Sequence, residues 1–229
     1  MKKTKKAYDR MLVLFSGGQD STTVLFWAKK RAARVEAVSF DYGQRHKAEL
    51  KSAAKIASLA GVKHTVIKLK QFESVKTSAL LDKKKNLNKK DKVNRKLPAS
   101  FVPGRNIVFL AAAASLAYTK KTANLAIGVS QADYSGYPDC RAGFIRSMQK
   151  TLNEGMEYPF KIHAPLINKD KKDTVLLAEK LGILDTLKYT HTCYEGGKKP
   201  CGKCPSCILR EKGFRLAGIP DPLKDLSGK

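Results

Sequence analysis

Four of the five cysteines fall in one short string, CYEGGKKPCGKCPSC, where Cys193, Cys201, Cys204 and Cys207 are separated by seven, two and two residues. Cys-x2-Cys turns let two thiolates converge on one tetrahedral ion, and four such ligands close a structural zinc site. An iron–sulfur cluster competes for the same spacing, because Cys-x2-Cys-x2-Cys also opens the bacterial ferredoxin pattern. Disulfides fit badly with a chain that shows no export signal. The remaining thiol, Cys140 in YPDCR, reads as a small buried apolar residue.

A second string with chemistry is LVLFSGGQDS at 12–21, an apolar run that stops at Ser-Gly-Gly. Adjacent glycines allow positive φ and remove the side chains that would keep a ligand off the amides. Free N–H groups of a helix's first turn, with the hydroxyls of Ser16, Ser21, Thr22 and Thr23, suit a phosphate or pyrophosphate. The turn is neither G-x-x-x-x-G-K-[ST] nor G-x-G-x-x-G, so two common nucleotide loops are excluded. Asp20 stands where it can cap the helix.

These residues need elements to hold them. MLVLF at 11–15 predicts a strand buried on both faces, followed by a helix from about Asp20 through AKKRAAR. VEAVSF, the helix KAELKSAAKIASLAG and HTVIKL continue a βαβαβ series, the mark of a parallel sheet. Residues 70–103 break the pattern and predict a lid, a binding loop or disorder. NIVFLAAAASLAYTK predicts a helix, ANLAIGVS at 123–130 a strand, residues 141–155 a helix, KIHAPL a short strand and DTVLLAEKLGI another helix. The expected fold is α/β, a doubly wound open parallel sheet of Rossmann-like type over 1–189, with a small zinc-binding module at 190–229.

Hydrophobic residues are 42% of the 229, enough for a sizeable core. No apolar run is long enough to span a membrane, so a cytoplasmic location is expected. The net charge of +25 concentrates anions of any kind. Much of it sits in KKTKK at 2–6 and KKKNLNKKDKVNRK at 83–96, which read as a solvated tail and loop. Aromatic residues do not alternate with these lysines, so no specific nucleic acid is expected.

The full string SGGQDS after an apolar strand resembles the pyrophosphate loop of the N-type ATP pyrophosphatases, which adenylate a carbonyl or carboxyl oxygen. With DYGQRH at 41–46, FVPGRN at 101–106, GVSQADYSGYPDCR at 128–141 and CGKCPSCILREKGF, the chain from about 16 to 214 resembles the 7-cyano-7-deazaguanine synthases of queuosine biosynthesis. That resemblance implies a homodimer with bound zinc that uses Mg²⁺, ATP and ammonia to convert 7-carboxy-7-deazaguanine into the nitrile. The acid is adenylated, ammonia displaces AMP to leave an amide, and a second adenylation permits dehydration.

On this resemblance the ATP loop comprises Phe15, Ser16, Gly17, Gly18, Gln19, Asp20, Ser21, Thr22, Thr23, Val24 and Leu25, with Asp20, Ser21 and Arg105 as catalytic residues. Arg45, Arg105, Asp133, Tyr137 and Asp139 would bind substrate. Arg105 offers a bidentate fork, the aspartates accept from a guanine-like N–H edge, and Tyr137 or Tyr134 stacks. Two other readings remain: a tRNA-modifying pyrophosphatase that exploits the positive charge, and a non-catalytic zinc-ribbon protein. The second leaves the SGGQDS loop without a purpose.

Overall fold

The computed structural model describes residues 6–44, 47–74, 78–82, 84–87, 89–132, 136–197 and 199–223. Five strands run as β1 Tyr8–Leu14, β2 Ala32–Asp41, β3 Lys63–Lys68, β4 Asn124–Ala126 and β5 Lys161–His163. The helices are α1 Gln19–Arg31, α2 Ala48–Leu59, α3 Arg105–Thr119, α4 Ala142–Met156, α5 Lys171–Lys180 and α6 Pro205–Ala217. All strand pairs are parallel and their order is β3-β2-β1-β4-β5, so the winding reverses between β1 and β4. The expected doubly wound sheet is present. Among the described residues no helix is long and apolar enough to cross a membrane.

Alternation along β1 builds a core on each face. Leu12 and Leu14 join Val38, Phe40, Leu110 and Ala113 on the side of α3 and α4. Met11 and Val13 join Val24, Leu25, Ala53 and Ile56 under α1 and α2. The strand is therefore apolar at every position from 11 onward, as a strand covered by helices on both sides must be.

Two elements are shorter than the sequence predicts. The first helix stops at Arg31 because Ala32 already pairs with Tyr8 and Arg34 with Arg10 in the ladder. The strand expected over 123–130 ends at Ala126. Beyond it the chain passes the start of α1 so closely that a Cβ on Gly128 would lie 3.0 Å from the Ser21 amide nitrogen.

The described part of 70–103 is packed against the body. An antiparallel bridge joins Lys90 to Pro98, and Leu80, Leu87, Leu97 and Ala99 are buried. Leucines spaced between the lysines hold this segment down while the charges stay in water.

At the other end, Arg210 of α6 is 4% exposed yet fully used. Its Nε and Nη2 donate to the two Asp221 oxygens at 2.7 Å each, and Nη1 donates to Thr190 Oγ1 at 2.7 Å and Thr192 Oγ1 at 3.2 Å. Nη2 also donates to Leu187 O at 3.2 Å. This fork fixes residues 187–192 to α6. Asp221→Ala strands a buried guanidinium and is expected to cost about 3–5 kcal/mol in denaturant unfolding; a loss near zero contradicts the clamp.

Candidate functional site

At the reversal between β1 and β4, beyond the carboxyl ends of the strands, lies a cavity of about 270 Å³. Open α/β sheets bind their ligands at such a crevice, and the volume is near the lower end for small-molecule sites. Phe15, Ser16, Gly18, Gln19, Asp20 and Ser21 line one side. Glu49, Arg105, Tyr137 and Tyr194 are on the same lining, with Lys171 and His191.

The two glycines of the turn have different jobs. Gly17 has φ +80°, and a Cβ there would lie 2.5 Å from Ala53 N and 2.6 Å from Glu49 O, both backbone atoms of α2. Gly18 is extended, with φ −82° and ψ 169°, and faces the cavity. Only Gly17 thus takes the positive φ expected of the pair. The hydroxyl cluster is also smaller than expected. Ser16 Oγ and Ser21 Oγ are 3.0 Å apart, and the Gly18 amide donates to Ser16 Oγ at 3.3 Å. Thr22 is fully buried with its hydroxyl unpartnered, and Thr23 Oγ1 donates to Gln19 O at 3.0 Å. Helical rotation of about 100° per residue carries both away from the cavity. Val24 and Leu25 belong to the core behind it.

Asp20 is held from an element the sequence did not single out. Lys171 Nζ, at the start of α5, donates to Asp20 Oδ2 at 2.5 Å, while Asp20 Oδ1 is buried without a hydrogen-bond partner. Gln19 is 2% exposed and neither of its amide atoms has a partner. These unused polar atoms surround the mouth of the turn, where a polar ligand or a cation would satisfy them.

Arg105 begins α3 after Gly104, whose φ is +72°. Burial works against its charge, but Tyr42, Tyr137, Asp139 and Cys140 around it more than compensate and raise its pKa. Its guanidinium carbon lies 5.8 Å from the centre of the Tyr137 ring, and the Tyr137 hydroxyl is 2.6 Å from Ser100 Oγ. Asp139 is buried beside this group; its Oδ2 accepts from the Asn106 amide at 3.2 Å, and it is not on the cavity lining. Cys140 does line it, with a thiol that burial and Asp139 push up to about 12, so it stays protonated. Arg45 and Asp133 lie outside the described residues, as do His46 and Tyr134.

Glu49, in the first turn of α2, is the carboxylate that sequence reasoning missed. Burial pushes it up to about 7, against the pull of Arg105. Glutamate in a first helical turn is ordinary, which hides it. Lys171 could have been found, since a lysine at a helix N-terminus opposes the dipole and calls for another reason.

The four thiols meet. The Sγ atoms of Cys193, Cys201, Cys204 and Cys207 all lie within 4.8 Å of one another. The Cys201 and Cys204 amides approach Cys193 Sγ and Cys201 Sγ at 3.4 and 3.3 Å. Hydrogen bonds from Cys204 and Cys207 draw the Cys193 thiol far down, and the same contacts push Cys207 up. Four thiolates at this spacing need a cation among them, so the donor set fits a metal ion. The segment leading into this cluster touches the glycine turn, because the His191 amide donates to Gly17 O at 3.0 Å.

The close approach at Gly17 is testable. Gly17→Ala combines a left-handed backbone with a clash against α2 and is expected to cost about 2–4 kcal/mol. Gly43→Ala has a similar φ of +81° with open space around it, and should cost only about 1 kcal/mol. Equal losses in denaturant unfolding would contradict the packing described.

Comparison with known proteins shows the family of the chain. Residues 10–218 match the family described as "Queuosine biosynthesis protein QueC". The 7-cyano-7-deazaguanine synthase of Laribacter hongkongensis is 48% identical over 215 residues, covering 94% of each chain. That of Chromobacterium violaceum is 49% identical over 217 residues, covering 94% of this chain and 93% of its own. Among solved structures, the U34-tRNA thiolase NcsA of Methanococcus maripaludis, described with its [4Fe-4S] cluster, has a TM-score of 0.51 at 15% identity over 93% of this chain and 68% of its own, a likeness of fold alone. The chain belongs to the QueC family of queuosine biosynthesis proteins.

Proposed function

We propose that the protein is an ATP-dependent carbon–nitrogen ligase that converts 7-carboxy-7-deazaguanine and ammonia into 7-cyano-7-deazaguanine, with adenylated acid and adenylated amide as intermediates. The observation that carries this reading is one cavity bringing the Ser16–Ser21 turn, Arg105 and an aromatic wall together at the sheet's reversal. The relatives named 7-cyano-7-deazaguanine synthase support the substrate.

The Gly18 and Ser21 side of the cavity takes the ATP phosphates on backbone amides and the Ser16 and Ser21 hydroxyls. Gln19, Asp20 and Lys171 stand beside them. Lys171 neutralises charge on the phosphates, and the unused Oδ1 of Asp20 would hold Mg²⁺, which supplies charge neutralisation as pyrophosphate departs. Arg105 orients the substrate carboxylate, then the amide oxygen, towards the α-phosphorus. Tyr137 presents an aromatic face to the heterocycle, Arg45 and Asp133 recognise its polar edge, and Asp139, bonded to Asn106 behind the lining, holds the start of α3 and with it Arg105. Thr22, Thr23, Val24 and Leu25 support the loop from behind.

Cys193, Cys201, Cys204 and Cys207 would hold zinc, which supplies a closed structural crosslink. The His191 amide, two residues before Cys193, donates to the carbonyl of Gly17, so a crosslink among the four cysteines would also restrain the nucleotide turn. Residues 1–189, including the lysine-rich 82–96 segment, form the nucleotide-binding domain, and 190–229 the zinc module. The working form is a homodimer in the cytoplasm, where free thiols stay available to a metal.

Purified protein with ATP, Mg²⁺, ammonium and 7-carboxy-7-deazaguanine should yield the nitrile by mass spectrometry, with AMP and pyrophosphate. The same preparation should be colourless and contain zinc. ADP in place of AMP contradicts adenylation, and brown, iron-containing protein contradicts the zinc assignment. Tight, salt-sensitive tRNA binding without nitrile would favour an RNA-modifying enzyme instead.

A further inference from the structure

Among the described residues two carboxylates line the cavity, Asp20 and Glu49. Asp20 is committed, with one oxygen on Lys171 at 2.5 Å. Glu49 has no ion pair or hydrogen bond of its side chain among the described residues; it shares the cavity lining with Arg105 of α3, Tyr42 after β2 and Tyr194 of the cysteine segment, and its charge is felt by all three. Its place is rigid. The Glu49 carbonyl is one of the two backbone atoms that a Cβ on Gly17 would strike, at 2.6 Å, so the residue is packed against the nucleotide turn itself.

Ligation of ammonia and dehydration of the amide each remove a proton from nitrogen, beside the carbon that Arg105 would orient. Nothing assigned to the site so far accepts one. Cys140 keeps its own proton, and the His191 ring is tied to the cysteine segment, with Nε2 2.9 Å from the carbonyl of Cys193. We infer that Glu49 is the general base for the nitrogen, a role that rests on the ligase reading above.

In the first half, ammonia attacks the carbonyl carbon of the acyl adenylate. The C–N bond forms, the C–O bond to AMP breaks with its electron pair on AMP, and one N–H proton passes to Glu49. In the second half the amide oxygen bonds the α-phosphorus, pyrophosphate leaves, and one of the two N–H protons passes to water, giving an imidate with one N–H. Its proton passes to Glu49, the N–H electron pair becomes the third C–N bond, and AMP leaves with the C–O pair. Between halves the carboxyl returns its proton to water. An acid held near pH 7 by burial is matched to that cycle, since a base is most effective when its pKa is close to the working pH. Adenylation of the acid asks for no base, because a carboxylate attacks phosphorus as it stands.

The two stages can be read separately in Glu49→Gln, which keeps the side chain's shape. Acid-dependent exchange of labelled pyrophosphate into ATP should stay within about threefold of the native rate, which also reports that the variant folds. Nitrile formation should fall by about 10²–10⁴-fold. At constant free ammonia, the native nitrile rate should rise through an apparent pKa near 7 and level off, because the base works only once deprotonated. Glu49→Asp should retain that inflection at a reduced rate, and Glu49→Gln should lack it. Nitrile formation by Glu49→Gln at the native rate, or a parallel loss of exchange and nitrile, would overturn the role while leaving the ligase reading intact. A native protein that neither exchanges pyrophosphate nor forms nitrile would remove the ligase reading itself.

Discussion

The structure depends on a backbone contact that only glycine permits. Where β1 ends, the chain turns through φ +80° at Gly17 and lies against the backbone of α2, with no space for a single carbon between them. The contact draws the first turn of α1 up to the ends of β1 and β4, and leaves Gly18, Gln19 and Ser21 on the cavity side. It also places Glu49 at the cavity wall, since the carbonyl that abuts Gly17 belongs to that residue. One steric constraint thus positions the amides of the turn and a carboxylate on one cavity.

The far end of the chain is fastened to the same turn by two routes. The His191 amide donates to Gly17 O, just before the cysteine cluster begins. Lys171 bonds Asp20, and it is pressed by α6, where a Cβ on Gly213 would lie 2.7 Å from the Lys171 Cβ. Arg210 locks residues 187–192 onto that helix. The cysteine cluster and the glycine turn are therefore linked through short covalent and hydrogen-bonded paths, so that ordering one end restrains the other.

Much of this was legible in the sequence because it is local. SGGQDS after MLVLF is contiguous, and so are the Cys-x2-Cys turns; contiguous strings carry their geometry with them. The parallel sheet followed from alternating apolar runs and helical patterns. What stayed hidden depends on distant parts of the chain. Lys171 meets Asp20 across 151 positions. Glu49 reads as an ordinary first-turn acid until α3 brings Arg105 beside it, and the 70–103 segment reads as a loop until its leucines are seen beneath the lysines. A string of hydroxyl residues does not show which way a helix turns them, so Thr22 and Thr23 read as part of a cluster from which the structure turns them away.

The most direct measurement is a crystal structure of the protein soaked with Mg²⁺ and a non-hydrolysable ATP analogue. The account predicts β- and γ-phosphoryl density within hydrogen-bond reach of the Gly18 to Ser21 amides, with the α-phosphorus facing Arg105. Triphosphate density seated elsewhere, with this turn empty, would contradict it.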